Sequence, residues 1–175
     1  MIYAIDFDGT CVTHQYPAMG KDIGAAPVLR AMVKAGHRLI LNTMRSNLPE
    51  AVSRDLPKGI IPVKAGNYLD DATNWFEKNG IKLYGVNVNP EQASWTSSPK
   101  VLADVYIDDA GLGMPLRRDH TISNRPFVDW VMVAQMLNIN PLPYPKGDLN
   151  VEGTQTGRWP AESLDAPDLL PDHMG

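Results

Sequence analysis

The sequence predicts an α/β protein in three layers, a parallel sheet flanked by helices. Three observations lead there. Apolar runs of strand length alternate along the chain with amphipathic stretches of helix length. Such alternation implies parallel strands joined by helices that cover both faces. Several of the runs end on a carboxyl or hydroxyl, at Asp6, Thr43 and Asp108. In sheets of this kind ligands bind just beyond the C-terminal strand ends, which is where those residues fall.

The elements follow in order. The run Met1-Ile2-Tyr3-Ala4-Ile5 predicts a strand over 2–6. Residues 11–23 come next and are too short for a folded cap domain. The spacing of Val28, Leu29, Met32 and Val33 predicts a helix over 25–35, with Pro27 near its start and Gly36 as its stop. A β-rich run predicts a strand over 38–43. Residues 46–66 hold Pro49, Pro57, Pro62 and two glycines, which makes a connection long enough to serve as a lid or recognition insertion. A second helix is expected over 70–79, with Ala72, Trp75 and Phe76 inward, Asp70 or Asp71 at its cap and Gly80 at its end. Strands over 82–86 and 104–108 follow, then a helix over 127–137 with Phe127, Val131, Ala134 and Met136 or Leu137 as its apolar stripe. The core domain therefore spans 1–138. The remainder, 139–175, is rich in Pro, Gly and Asp and carries Trp159. It is expected to wrap the core or to form a homo-oligomer contact, with disorder as the competing expectation.

Composition narrows the function classes. At 175 residues there is room for one ordinary core plus extensions. A net charge of −4 gives no general field for attracting nucleic acid, although Arg117, Arg118, Arg125 and Lys146 leave room for a local basic patch. The single Cys11 rules out an internal disulfide and fits a reducing compartment; it reads as packing. No run approaches the ~20 apolar residues that cross a membrane, and the start lacks a basic-then-apolar signal pattern, so a cytoplasmic location is expected.

The chemistry concentrates in Asp6-Phe7-Asp8-Gly9-Thr10. Side chains alternate along a strand, so Asp6 and Asp8 are expected to point the same way as the chain leaves the sheet. Paired carboxylates at a strand end suit a hard cation and a covalent carboxylate nucleophile. Gly9 permits a sharp turn and Thr10 ties it down; both are candidate substrate-binding residues. The bland alternative is a solvated turn with an Asx cap. Further along come Thr43, then Lys100, then Asp108-Asp109 after another apolar run. Arg45 is a candidate clamp for a phosphate or carboxylate, or else a surface ion pair. His14 is a candidate proton donor or a packing residue. Asn87 and Asn89, just past a strand end, are candidates to line the pocket.

This order of motifs resembles the haloacid dehalogenase-like (HAD) superfamily of phosphotransferases, whose first motif is a hydrophobic strand followed by Asp-x-Asp-x-Thr/Val. Within it, the chain is similar to small capless phosphatases of bacterial and phage type. The likeness rests on Asp6-Phe7-Asp8-Gly9-Thr10 with Val12, His14, Tyr16 and Pro17, on Thr43-Met44-Arg45, and on the approach Ser98-Pro99-Lys100 to Ile107-Asp108-Asp109. It covers roughly 1–138; the 46–64 insertion and the tail depart from it.

The resemblance implies a Rossmann-like, HAD-like core without a folded cap and a Mg²⁺-dependent phosphoric monoester hydrolase working through an aspartyl-phosphate. It implies Asp6 as nucleophile, Asp8 as acid–base, and Thr43 and Lys100 on the transferring phosphoryl. Mg²⁺ would be held by Asp6, the Asp8 backbone carbonyl and Asp108, with Asp109 acting through water. Capless relatives act on large substrates or borrow a lid, so a nucleotide or the end of an oligonucleotide enters as a substrate class. The alternative is a non-catalytic binding or assembly protein on the same scaffold.

Overall fold

The protein is described from a computed structural model covering residues 1–49 and 64–139. The chain divides between Pro143 and Tyr144, and the described residues all belong to the first part. The centre of the expected insertion, 50–63, and the extension from 140 onward, with its expected oligomer contact, lie outside the described residues.

The core is a four-stranded parallel sheet. Its first strand, β1, is Ile2–Ile5; α1 is Ala25–Lys34; β2 is Arg38–Leu41. The short strands β3 (Asn47–Leu48) and β4 (Gly66–Asn67) pair antiparallel at the base of the insertion. Next come α2 (Tyr68–Lys78), β5 (Leu83–Val86) and β6 (Val105–Ile107). A second small antiparallel pair, β7 (Leu116–Arg117) and β8 (Phe127–Val128), precedes α3 (Trp130–Met136). The strand order β5-β2-β1-β6 places β1 inside the sheet. From β1 the chain steps outward to β2 and β5, then returns to the other side of β1 for β6. The order reverses between β1 and β6, and such a switch point opens a crevice at the C-terminal strand ends. Ile5 is level with both Leu41 and Ile107, so the segments after three neighbouring strands leave the sheet together.

Alternation along the strands assigns the faces. Tyr3, Ile5, Leu39, Leu41 and Ile107 share one core with the buried residues of α1, α2 and α3. Ile2 and Ile40, of the opposite parity, pack with Val101 and Tyr84. The sheet is thus flanked by helices in a Rossmann-like way, and among the described residues α1, α2 and α3 share one face. Among the described residues, the second face is met by the 87–104 connection, whose regular piece is a 3-10 turn at Gln92–Ser94. Pro90, Pro99 and the serines between them oppose a longer helix. Buried side-chain amides hold the connection instead. Asn89 donates to Leu102 O at 2.9 Å, and Gln92 donates to Ser98 O and Lys100 O, both at 2.8 Å. Asn89, expected near the pocket, is therefore a brace for this segment.

The helix stops were legible. Gly36 and Gly80 adopt positive φ, and each helix end closes with paired N–H bonds back into the last turn: His37 to Met32 O and Gly36 to Val33 O, then Ile81 to Phe76 O and Gly80 to Glu77 O. The starts were less so. α2 begins at Tyr68, ahead of Asp70 and Asp71, and its cap comes from another element: Asn47 Oδ1 accepts from the N–H groups of Leu69 and Asp70. α3 begins at Trp130, capped by Asp129, and Phe127 belongs to β8. Its inward residues are Trp130, Val133 and Ala134, while Met136 is exposed, because the later start rotates the stripe. No helix among the described residues is long and apolar enough to cross a membrane.

Candidate active site

Asp6 leaves β1 at the switch point, and its N–H donates to Ile107 O at 2.9 Å. This bond continues the sheet ladder one residue further and brings Asp6 against the segment after β6. Carboxylate oxygens of Asp6, Asp108 and Asp109 lie within 4.8 Å of one another. Burial pushes the Asp6 carboxyl up from 3.8 to about 7. The Phe7 N–H and the Thr10 hydroxyl oppose that rise, and the charges on Asp108 and Asp109 add to it. Three oxygen donors in one place form a set suited to a hard divalent cation such as Mg²⁺ rather than to a soft metal.

The loop after Asp6 is a compact turn. The N–H groups of Thr10, Cys11 and Val12 all point to Phe7 O. Thr10 is fully buried; its hydroxyl donates to Asp6 Oδ2 at 3.2 Å and accepts from the Asp109 N–H at 3.1 Å. Thr10 thus joins the two acid-bearing loops and is not open to substrate, which corrects its expected role. Trp130 Nε1, absent from the sequence-based candidates, donates to Thr10 O at 2.6 Å from the start of α3. Gly9, also expected to contact substrate, serves geometry. It sits at φ +88°, and a Cβ there would lie 2.1 Å from His14 Nε2 and 2.8 Å from Asp109 Cγ. That room lets His14 Nε2 approach Asp109 Oδ2 at 2.9 Å. Cys11 is buried in the core, with Sγ donating to Asp6 O.

Asp8 does not join Asp6. The strand ends at Ile5, and the tight turn on Phe7 O cancels the alternation that would have aimed both acids one way. Arg45 takes both Asp8 oxygens in a bidentate pair, with Nε and Nη2 each at 2.7 Å. The Arg45 side chain is 1% exposed, stacked by Phe7 and Tyr16 at 5.0 and 5.3 Å, and also donates to Ala18 O. It is neither an open substrate clamp nor a surface pair. Its bonds hold the 16–18 segment against the motif loop.

Thr43 follows β2 at the same sheet edge as Asp6. Its N–H is bonded to Asn87 Oδ1 at 2.8 Å, and its Oγ1 accepts from the Arg45 N–H at 3.2 Å, which leaves the hydroxyl proton free to donate elsewhere. Asn87, expected to contact substrate, instead positions Thr43. Lys100 is exposed, with Nζ 5.9 Å from the Tyr106 ring centre, and makes no ion pair with Asp6. The structure gathers Asp6, Asp108 and Asp109 with His14 and Thr10 beside them; it does not bring Lys100 to that group.

The chain is similar to the solved structure of a conserved protein from Bacteroides thetaiotaomicron, with 29% identity and a TM-score of 0.56 over 79% of this chain and 89% of that one. The likeness bears on the fold. No family model matches the chain, and no curated protein does.

Proposed function

We propose that the chain is a Mg²⁺-dependent phosphatase of the HAD type that hydrolyses phosphoric monoesters through an aspartyl-phosphate on Asp6. The supporting observation is the meeting of Asp6, Asp108 and Asp109 at the switch point of a parallel sheet. Asp6, Asp108 and Asp109 would hold Mg²⁺, which supplies positive charge to offset repulsion between a carboxylate nucleophile and a phosphate dianion. Asp6 would attack phosphorus, with Thr10 orienting its carboxylate through the Oδ2 bond. Thr43 would donate its hydroxyl proton to a phosphoryl oxygen. Asp8 would act on the leaving group and then on water. As it stands Asp8 accepts two bonds from Arg45, so a proton on it would displace one of them. Both roles put a proton on Asp8 at one stage, so each turnover would have to release one of the two Arg45 bonds.

The competing reading, a non-catalytic protein on the same scaffold, draws on two observations: Asp8 is committed to Arg45, and Lys100 stands away from Asp6. A turnover assay separates the readings. The purified protein should hydrolyse p-nitrophenyl phosphate with Mg²⁺ and lose that activity with EDTA or on Asp6→Asn, whose amide is nearly isosteric but a poor nucleophile. Turnover that is metal-independent, or that survives Asp6→Asn, would sink Asp6 as the nucleophile.

A further inference from the structure

Beside the acid cluster is a cleft of about 470 Å³ lined by residues of two loops, among them His14, Lys21, His120, Ser123, Asn124 and Arg125. Its volume is that of an ordinary small-molecule site. Its chemistry is one-sided. Polar side chains dominate, Lys21 and Arg125 supply its basic groups, and no Asp or Glu lines it. Neither Lys21 nor Arg125 is in an ion pair among the described residues. Nor does Phe, Tyr or Trp line it, so a stacking platform for a base is lacking.

The cleft is anchored to the acid cluster. His14 forms its shared wall, lining the cleft while bonding Asp109 Oδ2 at 2.9 Å. The 118–126 loop is carried between β7 and β8, and the Val128 N–H donates to Gly9 O at 2.8 Å. The loop is also ordered from within. Asp119 accepts from Arg117, from the Thr121 hydroxyl and from the Thr121 N–H, and Ser123 Oγ accepts from the Arg125 N–H.

We infer that this cleft seats the leaving group of the substrate and that the leaving group carries a second anion. The substrate class is then a small metabolite phosphorylated at one end and bearing a phosphate or carboxylate at the other. The inference rests on the phosphatase reading for the phosphoryl end, while the cleft's preference for an anion stands on its own lining.

The test compares matched pairs by equilibrium binding and by Mg²⁺-dependent turnover. Fructose 1,6-bisphosphate is set against fructose 6-phosphate, and 3-phosphoglycerate against glycerol 3-phosphate. The member with the second anion should bind at least about tenfold more tightly, the scale of one charge-assisted contact. The first pair reads a phosphate and the second a carboxylate. Lys21→Met and Arg125→Gln are surface changes, and each should collapse the ratio toward one, while Arg125→Lys should retain most of it. Equal binding within both pairs, or a ratio that survives both substitutions, overturns the inference. So does a 5′-phosphorylated oligonucleotide that binds more tightly than the bisphosphate, since the cleft would then serve a polymer. If the wild-type protein turns over no phosphate ester yet shows the binding ratio and its loss in the variants, the phosphatase reading fails and the anion cleft stands.

Discussion

Asp6→Asn should stabilise the metal-free protein at alkaline pH while removing turnover. The magnitude follows from the burial of Asp6 between two other acids. Its carboxyl titrates at about 7 in the fold against an ordinary 3.8. A raised value means that the native state holds the proton more tightly than the unfolded chain does. That advantage is complete below 3.8 and is lost as pH climbs through about 7, where the carboxylate must ionise in place. At 1.36 kcal/mol per pH unit, the interval sets a ceiling of about 4 kcal/mol. Water reaching the half-buried side chain reduces the expected gain to about 2 kcal/mol. Urea unfolding in EDTA at pH 8 and pH 4 reads it directly. The Asn variant should be more stable than wild type at pH 8, and the difference should vanish by pH 4. Adding Mg²⁺ at pH 8 should restore the wild type more than the variant, because a cation removes the same penalty. If the variant is no more stable at pH 8, or if the difference is the same at both pH values, Asp6 is not a strained carboxylate and the account of the cluster is wrong.

Other expectations follow from the same contacts. Arg45→Met should cost about 3 kcal/mol or more in urea unfolding, because it leaves Asp8 facing a buried apolar chain where a bidentate partner stood; a loss under 1 kcal/mol would mean that the pair is solvated. Gly9→Ala should destabilise by about 1–3 kcal/mol and weaken Mg²⁺ binding together, since the new Cβ meets His14 and Asp109 at a positive φ; unchanged metal titration would detach that turn from the site. Asp108→Ala should lose more Mg²⁺ affinity by calorimetry than Asp109→Ala, whose carboxylate already has His14 as a partner; the opposite ranking would reverse their roles.

What the sequence determined by itself is local. Apolar runs ending at Ile5, Leu41 and Ile107 mark three strands, since burial between layers demands continuous apolar residues and the polar residues that follow leave the sheet. Gly36 and Gly80 mark helix ends, because positive φ is a single-residue property. Asp6, Thr43 and Asp108 were placed at one edge for the same reason: parallel strands that start together end together.

What the tertiary structure decided is which side chains meet. Nothing in the local pattern at Asp8 shows that Arg45, 37 residues later, takes both its oxygens, or that Trp130 reaches Thr10 O across 120 residues. Alternation misassigned Asp8 because it applies only while the backbone is extended, and the chain turns on Phe7 O before Asp8 can follow it. Lys100 was placed by its position in the order of motifs, but order along a chain says nothing about the direction of a flexible four-carbon side chain, which here lies over Tyr106. The cationic cleft was least legible of all. Arg125 was legible as part of a local basic patch, but Lys21 looks like an ordinary surface charge until β7 and β8 pair and carry the 118–126 loop to His14. Such a site is a sum of long-range contacts, and a long-range contact exists only once the core has fixed the distance between its ends.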